Sequence, residues 1–291
     1  MNLWEMKKAN KIENSIDEVF DVEVMSLIDQ DFWLRGDIDL NYFKDESKCF
    51  ILSIDTADGD GGNNNVMNVF ELELFSLQEI QDAKMYFDEY SFTKMVQVGY
   101  LLTNKITLEH FAGFIFHFIS NYMIADNIKI MLEINHEGKY VKHLILNTQS
   151  HDLFDETIFF SFVQKNKKRT IGLKTHHSNK EEASLQINDM IKNHRIVIFD
   201  KETVSQIQSM VRPKNGKGFM VTTGYDDIAM TVLLLTHVVK CEEFQELCEF
   251  LYDRHQDIYK AVSEKLDNVS YMDDEDDDLY DDPYDMFEDD D

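Results

Sequence analysis

The order of strand-type and helix-type patterns along this 291-residue chain predicts an α/β fold built on a mixed sheet. Three runs with strand character come first, and helices alternate with short strands after them. Hydrophobic residues make up 43% of the sequence and proline occurs only twice, so the chain can bury a core and is neither a linker nor a globally disordered protein.

The first three strands are predicted to form an antiparallel meander. The run Lys48–Ile54 is continuously apolar, which is typical of a buried central strand. The loop Thr56–Asn65 is rich in Gly, Asp and Asn, all of which favour turns. Val66–Leu74 alternates apolar and polar residues over part of its length, and Thr93–Leu102 is rich in Val and Tyr, so both are predicted strands.

A helix, a strand and a second helix follow the meander. Thr107 is a predicted N-cap, and apolar residues recur at helical spacing over Leu108–Met123. Ile128–Ile134 is predicted to be a short apolar strand that contains one acid, Glu133. Gly138–Leu146 is predicted to be helical.

Helices and strands alternate in the second half of the chain. Ser178 and Glu181 have the spacing of a capping box and predict a helix that continues through Asn193. The helix predicted from Asp226 is apolar on all sides, which indicates that it is fully buried. The other predicted elements are a buried strand at Arg195–Phe199, a helix at Lys201–Val211, a strand at Phe219–Thr223 and an amphipathic helix at Glu242–Leu266.

Charge and cysteine content exclude several classes of protein. The net charge is −28, and residues 271–291 contain thirteen acids and no Lys or Arg, so the rest of the chain is also acidic. This balance argues against a protein that coats DNA through its overall charge. The three cysteines are too few and too widely spaced for a disulfide framework or a zinc site, which favours a reduced cytoplasmic compartment. The most apolar window, Phe111–Ala125, is too short to span a membrane.

Four acids stand beside strongly apolar sequence. Asp55 ends the first long strand, Glu133 lies near the end of the fourth, and the pair Asp226 and Asp227 begins the buried helix. Converging carboxylates would repel one another, and Mg²⁺ or Mn²⁺ bound to their oxygen atoms would relieve that repulsion. Two such ions are the usual device for phosphodiester hydrolysis. Each acid also has an ordinary explanation, because an Asp after a strand is often a turn residue and the pair could cap the helix.

Four segments, in order along the chain, resemble one known family: ILSIDTADGDGG, MLEINHEG, GLKTHHSNK and GYDDIAMTVLLL. Over residues 47–240 the chain resembles the C-terminal nuclease domain of large terminase subunits from tailed bacteriophages. The resemblance implies a ribonuclease H-like fold with a five-stranded mixed sheet flanked by helices, followed here by an extra C-terminal helix. It also implies catalytic and metal-binding roles, with two Mg²⁺ or Mn²⁺ ions, for Asp55, Glu133, Asp226 and Asp227.

The chain departs from the family pattern at two positions. Asn63 stands where many members have an aspartate in the glycine-rich loop, with Asp58 and Asp60 nearby, and Tyr225 stands where a histidine often precedes the paired acids. We expect three parts. Residues 1–45 resemble the junction between motor and nuclease, residues 46–268 form the nuclease domain, and residues 269–291 form a disordered acidic tail.

Basic residues in this acidic chain are the candidate DNA contacts. Residues 165–180 form the strongest basic patch, which resembles the family segment beside the active site, and residues 212–217 form a second basic stretch. The alternative for the first segment is a solvated surface loop. The predicted DNA-binding residues are Lys167, Lys168, Arg169, Lys174, Lys180, Arg212, Lys214 and Lys217.

The resemblance implies a metal-dependent endonuclease that cuts concatemeric, double-stranded viral DNA during genome packaging in the host cytoplasm. The sequence contains no phosphate-binding loop motif, so we expect an ATPase motor on another chain or a missing segment. The implied partners also include the portal and the small terminase, and no membrane. Two alternatives are a Holliday-junction resolvase of the same superfamily and a non-catalytic acidic scaffold or DNA mimic.

Overall fold

The computed structural model describes residues 31–57, 64–82, 89–147, 155–163, 168–175, 177–211, 220–221 and 226–273. The strands are β1 (Phe32–Leu34), β2 (Cys49–Asp55), β3 (Asn65–Leu74), β4 (Thr93–Thr103), β5 (Ile128–Leu132), β6 (Ser161–Val163), β7 (Arg169–Ile171), β8 (Ile196–Val197), β9 (Met210–Val211) and β10 (Met220–Val221). The α-helices are α1 (Leu77–Asp82), α2 (Leu108–Tyr122), α3 (His136–Asn147), α4 (His177–Lys192), α5 (Lys201–Ser209), α6 (Asp227–Val238), α7 (Glu242–Arg254) and α8 (Gln256–Asp273).

Six of these strands form one mixed sheet in the order β1-β4-β3-β2-β5, and β8 also pairs with β4. β2, β3 and β4 are antiparallel neighbours, as predicted for the meander. β5 lies on the other side of β2 and runs parallel to it. A meander whose first strand is flanked by a parallel fourth strand is the ribonuclease H-like arrangement, so the predicted fold class is confirmed.

Helices cover both faces of the sheet, which explains the continuous apolar run in β2. Successive residues of a strand point to opposite faces. Ile51 contributes to the core beneath α6, and Leu52 contributes to the core beneath α2. α6 is buried on nearly all sides and packs against β2, β3 and β5. Its first residue, Asp227, contacts Asn64 immediately before β3.

Three predicted elements differ from the structure. Phe32–Leu34 pairs with β4 and brings the sheet to six strands, where the resemblance implies five. The last predicted helix is two helices, because His255 leaves the helical conformation (φ −127°, ψ 61°) between α7 and α8. Of the predicted strand Arg195–Phe199, only Ile196–Val197 pairs with the sheet.

Several helix ends also differ from prediction. The helix predicted over Lys201–Val211 ends at Ser209, and Met210–Val211 forms strand β9, which pairs with β10. α4 begins at His177, so Ser178 lies inside its first turn and is not the N-cap that the capping-box spacing predicts. α8 continues to Asp273, past the predicted start of the acidic tail at residue 269, and residues 274–291 lie outside the described part of the chain. Among the helices in the described ranges, none is long and apolar enough to cross a membrane.

Candidate active site

Asp55 and Glu133 meet at the adjacent ends of two parallel strands. Asp55 is the last residue of β2, and Glu133 follows the last residue of β5. Ile54 lies opposite Leu132 in the parallel register, and the Glu133 amide donates to the Ile54 carbonyl oxygen at 3.0 Å. The register therefore places the two acids side by side, and their carboxyl groups are in hydrogen-bond contact.

The surroundings of Asp55 disfavour its charged form. Burial has the largest effect in raising the pKa of the Asp55 carboxyl group well above its usual value, and the hydrogen bond and like charge of Glu133 raise it further. The charge of Asp227 acts in the same direction, and the ammonium group of Lys180 opposes it. Because two carboxylates cannot donate to each other, a direct hydrogen bond between Asp55 and Glu133 requires a shared proton.

Asn135 ties together the chain segments that follow these two acids. Its Nδ2 atom donates to the Thr56 carbonyl oxygen at 2.8 Å, and the Thr56 hydroxyl group donates back to Asn135 Oδ1 at 3.2 Å. The same Oδ1 atom accepts from the Gly138 amide at 2.6 Å, near the start of α3. A Cβ atom at Gly138 would overlap the carbonyl oxygen of Glu133, so the close approach requires glycine.

A third segment reaches Glu133 from the predicted basic region. Leu173 forms a parallel bridge with Glu133, and the Ile134 amide donates to the Leu173 carbonyl oxygen at 2.7 Å. The segment bends at Gly172, whose φ of +73° lies in the left-handed region that favours glycine. Thr175 then donates a hydroxyl hydrogen bond to Oε1 of Glu133, which orients this buried carboxylate.

Asp227 is the first residue of α6, and its side chain is buried. Its Oδ2 atom accepts hydrogen bonds from the Asn64 amide at 3.1 Å and from Asn64 Nδ2 at 2.7 Å. Burial raises the pKa of the Asp227 carboxyl group, the Asn64 hydrogen bonds oppose the rise, and the charge of Asp226 adds to it. Asn64, the residue that precedes β3, therefore fixes the position of the third acid.

Asp226 does not serve α6 as a side-chain cap. It is the N-cap residue, but its side chain makes no cap hydrogen bond, and its backbone (φ −110°, ψ 8°) is not the extended conformation usual at that position. The Asp227 carboxylate is bonded by Asn64. Capping, which is the ordinary explanation for this pair, therefore accounts for neither side chain.

The described acids converge in part. Asp55 and Glu133 are in contact, whereas Asp227 acts on Asp55 through its charge. Within the described ranges, no group of three or more His, Cys, Asp and Glu side chains is gathered closely enough to hold a metal ion. The donor chemistry fits Mg²⁺ or Mn²⁺, because the donors are carboxylate oxygens and a cation would take the place of the proton that Asp55 and Glu133 share.

Two of the predicted DNA-binding residues lie on either side of Thr175. Lys174 is exposed to solvent, and Lys180, near the start of α4, is partly buried. The positive charge of Lys180 opposes the rise in the pKa of Asp55, so this ammonium group acts on the acid at the end of β2.

Arg169 has carboxylate partners within the protein. Its guanidinium group donates to Glu242 at 3.1 Å and to Glu243 at 2.7 Å, and these bonds hold β7 against α7. Its role in DNA binding stays a prediction, as does that of Lys168. The predicted contacts Lys167, Arg212, Lys214 and Lys217 lie outside the described residues, as do Asp58, Asp60, Asn63 and Tyr225.

Sequence reasoning missed the residues that orient the acids. Asn135 carried a usable signal, because Asn is a favoured residue immediately before a helix and this one stands two positions after Glu133. Thr175 carried a signal only through the resemblance, because it stands in the segment GLKTHHSNK. Asn64 carried none, since an Asn in a turn-rich loop has an ordinary role. Their partners lie far away along the chain, so only the folded arrangement identifies them.

Comparisons with known proteins gave matches among solved structures. No protein-family model and no curated protein matches the sequence. The chain is similar to the large terminase nuclease from the thermophilic phage G20c with bound magnesium, at 12% identity and a TM-score of 0.43, over 66% of this chain and 82% of that chain. The same nuclease with bound cobalt matches at 12% identity and a TM-score of 0.40, over 65% of this chain and 80% of that chain. Those structures come from the family that the ordered segments of the sequence resemble.

Proposed function

We propose that the protein is a divalent-metal-dependent endonuclease that hydrolyses double-stranded DNA at the acids Asp55, Glu133, Asp226 and Asp227. The observation that carries the proposal is the contact between Asp55 and Glu133, with Asp227 acting on Asp55 as a further negative charge. Like charges held together at partly or fully buried positions cost stability. A cation-binding role explains why the fold keeps them there.

In this proposal the acids hold two Mg²⁺ or Mn²⁺ ions. When bound, such ions activate a water molecule and stabilise the leaving oxygen of the phosphodiester. The protein's own residues fix the acids in place. Thr175 orients Glu133, Asn64 orients Asp227, and Asn135 holds the ends of β2 and β5 together.

DNA phosphates would be bound by basic residues near these acids. Lys174 and Lys180 lie on either side of Thr175, which contacts Glu133, so a phosphate bound by them would lie near the acids. We extend the same role to the remaining predicted contacts, which are Lys167, Lys168, Arg169, Arg212, Lys214 and Lys217.

The biological substrate and partners follow from the resemblance to large-terminase nucleases. The substrate would be concatemeric viral DNA that is cut during genome packaging in the host cytoplasm. An ATPase motor on another chain or another segment, the portal and the small terminase would be the partners.

Cleavage of a supercoiled plasmid tests the proposal. Wild-type protein should cut with Mg²⁺ or Mn²⁺ and not with EDTA. Glu133→Gln should cut about 10- to 100-fold more slowly, because it removes the charge of an assigned ligand. Glu156→Gln, the same substitution at an exposed position, should cut like wild type.

Metal-independent cleavage, or full activity of Glu133→Gln, would contradict the assignment. A four-way junction and a linear duplex of the same length separate the two enzymatic hypotheses. A strong preference for the junction would favour the resolvase alternative over the packaging nuclease.

A further inference from the structure

The start of α6 needs hydrogen-bond acceptors that its own N-cap residue does not provide. The backbone N–H groups of the second and third residues of a helix have no partner within the helix. The N-cap side chain usually accepts a hydrogen bond from one of them. In α6 these are the amides of Ile228 and Ala229. Both lie at buried positions, and Asp226 makes no side-chain bond to either.

Gln206 supplies the missing acceptor from a neighbouring helix. Its Oε1 atom accepts from the Ile228 amide at 3.1 Å and from the Ala229 amide at 3.2 Å. Gln206 as a residue is 7% exposed, and its Nε2 atom donates to Glu202 one turn earlier at 3.2 Å. One amide group of α5 thus satisfies the two donors that an N-cap would normally serve.

The helix that carries Gln206 is itself fixed to the sheet. Asp200 accepts from the Thr203 amide at 2.7 Å and caps α5. The Thr203 hydroxyl group accepts from Gln97 Nε2 at 3.0 Å, and Gln97 is a fully buried residue of β4. The helix that carries Gln206 is therefore tied at its start to the sheet by buried hydrogen bonds.

We propose that Gln206 is a positioning residue that takes over the capping of α6 and so keeps the Asp226 carboxylate available to the site. Asp is among the best N-cap residues, and without Gln206 the Asp226 side chain would turn back to bond the unsatisfied amides of its own helix. Gln206 prevents this by occupying both donors. The capping part stands on geometry alone, and its consequence for metal binding rests on the proposed function.

A double-mutant cycle in metal-free buffer tests the capping part. Thermal denaturation is measured for wild type, Gln206→Leu, Asp226→Ala and the double variant. We expect Asp226→Ala to change Tm little in the wild-type background, since Asp226 caps nothing there. In the Gln206→Leu background it should lower Tm by about a further 2–4 °C, because Asp226 has become the cap. Additive effects would overturn the proposal.

Two further variants serve as controls for the double-mutant cycle, one for misfolding of Gln206→Leu and one for the position of the substitution. Gln206→Ala also lacks the acceptor but adds no branched side chain, so it replaces Gln206→Leu if that variant does not fold. Gln208→Leu makes the same substitution at another position of α5, and we expect it to show no coupling with Asp226→Ala. Equal coupling in the Gln208 background would contradict a specific role for Gln206.

The metal dependence of plasmid cleavage tests the consequence. Gln206→Leu should raise the Mn²⁺ concentration for half-maximal cleavage about tenfold, whereas Gln208→Leu, at an exposed position of the same helix, should leave it unchanged. An unchanged midpoint in Gln206→Leu would contradict the positioning role. Absence of cleavage by wild type would contradict the proposed function instead, and the thermal cycle would still decide whether Gln206 spares Asp226.

Discussion

The carboxyl group of Asp55, at the end of one strand, is in hydrogen-bond contact with that of Glu133, at the end of the adjacent parallel strand. The two residues are far apart along the chain, and the pairing of Ile54 with Leu132 brings them together. Two acids in contact are stable only if a proton or a cation lies between them. Under the proposed function, pH and metal concentration decide which of the two is present, so we expect folding stability to depend on both.

The pH dependence of stability follows from the raised pKa of Asp55. The folded chain keeps this proton over a pH range in which the unfolded chain has released it. The contribution to stability is therefore fully present below the unfolded pKa, near pH 4, and is lost as pH rises through the folded pKa. We expect metal-free Asp55→Asn to be more stable than wild type at pH 7, with the difference disappearing towards pH 4. Denaturant unfolding in EDTA measures this.

Asp253→Asn is the matched control for that experiment, because it replaces an exposed aspartate on α7. Its stability should follow that of wild type at both pH values. If metal-free Asp55→Asn is less stable than wild type at pH 7, Asp55 stabilises the fold, and repulsion from neighbouring carboxylates does not dominate at this position.

Gly138 should be intolerant of even a methyl group. A Cβ atom there would overlap the Glu133 carbonyl oxygen, so α3 would have to move away from the end of β5. We expect Gly138→Ala to lose about 1–3 kcal/mol of stability and to weaken metal-dependent cleavage. Gly36→Ala should be close to neutral, because a Cβ atom at Gly36 meets nothing within 4 Å. Equal effects of the two substitutions would contradict the tight approach of α3 to Glu133.

The strands and their terminal acids could be predicted from sequence because their signals are local. The apolar run that ends at Asp55 and the single acid in the run containing Glu133 both stand out from their neighbours. The short strand Phe32–Leu34 has no such pattern, and it is a strand because its backbone pairs with β4. The break at His255 lacks Gly or Pro, so nothing in the sequence separates α7 from α8.

The orienting contacts of the site could not be predicted in the same way. Gln206 is one of several polar residues on an amphipathic helix, and its role depends on where α5 packs against α6. Because Arg169 lies in a basic segment, the sequence predicts that it binds DNA. In the structure Arg169 pairs with two glutamates of α7. Such roles depend on which residues from distant parts of the chain lie next to the side chain in the fold, and the pattern of a single sequence does not give that information.

The ion pair of Arg169 with Glu243 should be a pH-sensitive structural contact. Burial opposes ionisation of Glu243, but hydrogen bonds from Ser161 and Arg169 more than offset it, so the pKa of this carboxyl group is lowered. Its contribution to stability is therefore present above the unfolded pKa, near 4.3, and is lost as pH falls through the folded pKa. Glu243→Gln should lose about 1–3 kcal/mol at pH 7 and much less near pH 3.

Glu242→Gln is the control for this ion pair. Glu242 meets the same guanidinium group at 3.1 Å, but its side chain is 76% exposed, so the loss should be below about 1 kcal/mol. Chemical denaturation at the two pH values compares the variants. Equal losses for Glu242→Gln and Glu243→Gln would show that burial does not distinguish these two carboxylates.

The DNA-binding proposal predicts a change in salt dependence. Replacing Lys174 and Lys180 together by Gln should weaken duplex binding and lower the slope of log affinity against log salt by about 1 for each phosphate that is no longer bound. Fluorescence anisotropy in EDTA measures binding without cleavage. Lys260→Gln, at an exposed position on α8, should leave the slope unchanged. An unchanged slope in the Lys174 and Lys180 variant would place the DNA-binding surface elsewhere.

Calorimetric titration of Mn²⁺ into the protein tests whether the acids at the ends of β2 and β5 and at the start of α6 form a cation site. Wild type and the Asp253→Asn control should bind with the same affinity and stoichiometry. Asp55→Asn should bind at least about tenfold more weakly, because it loses the charge of the ligand that contacts Glu133. Failure of wild type to bind Mn²⁺, or wild-type binding by Asp55→Asn, would contradict the account.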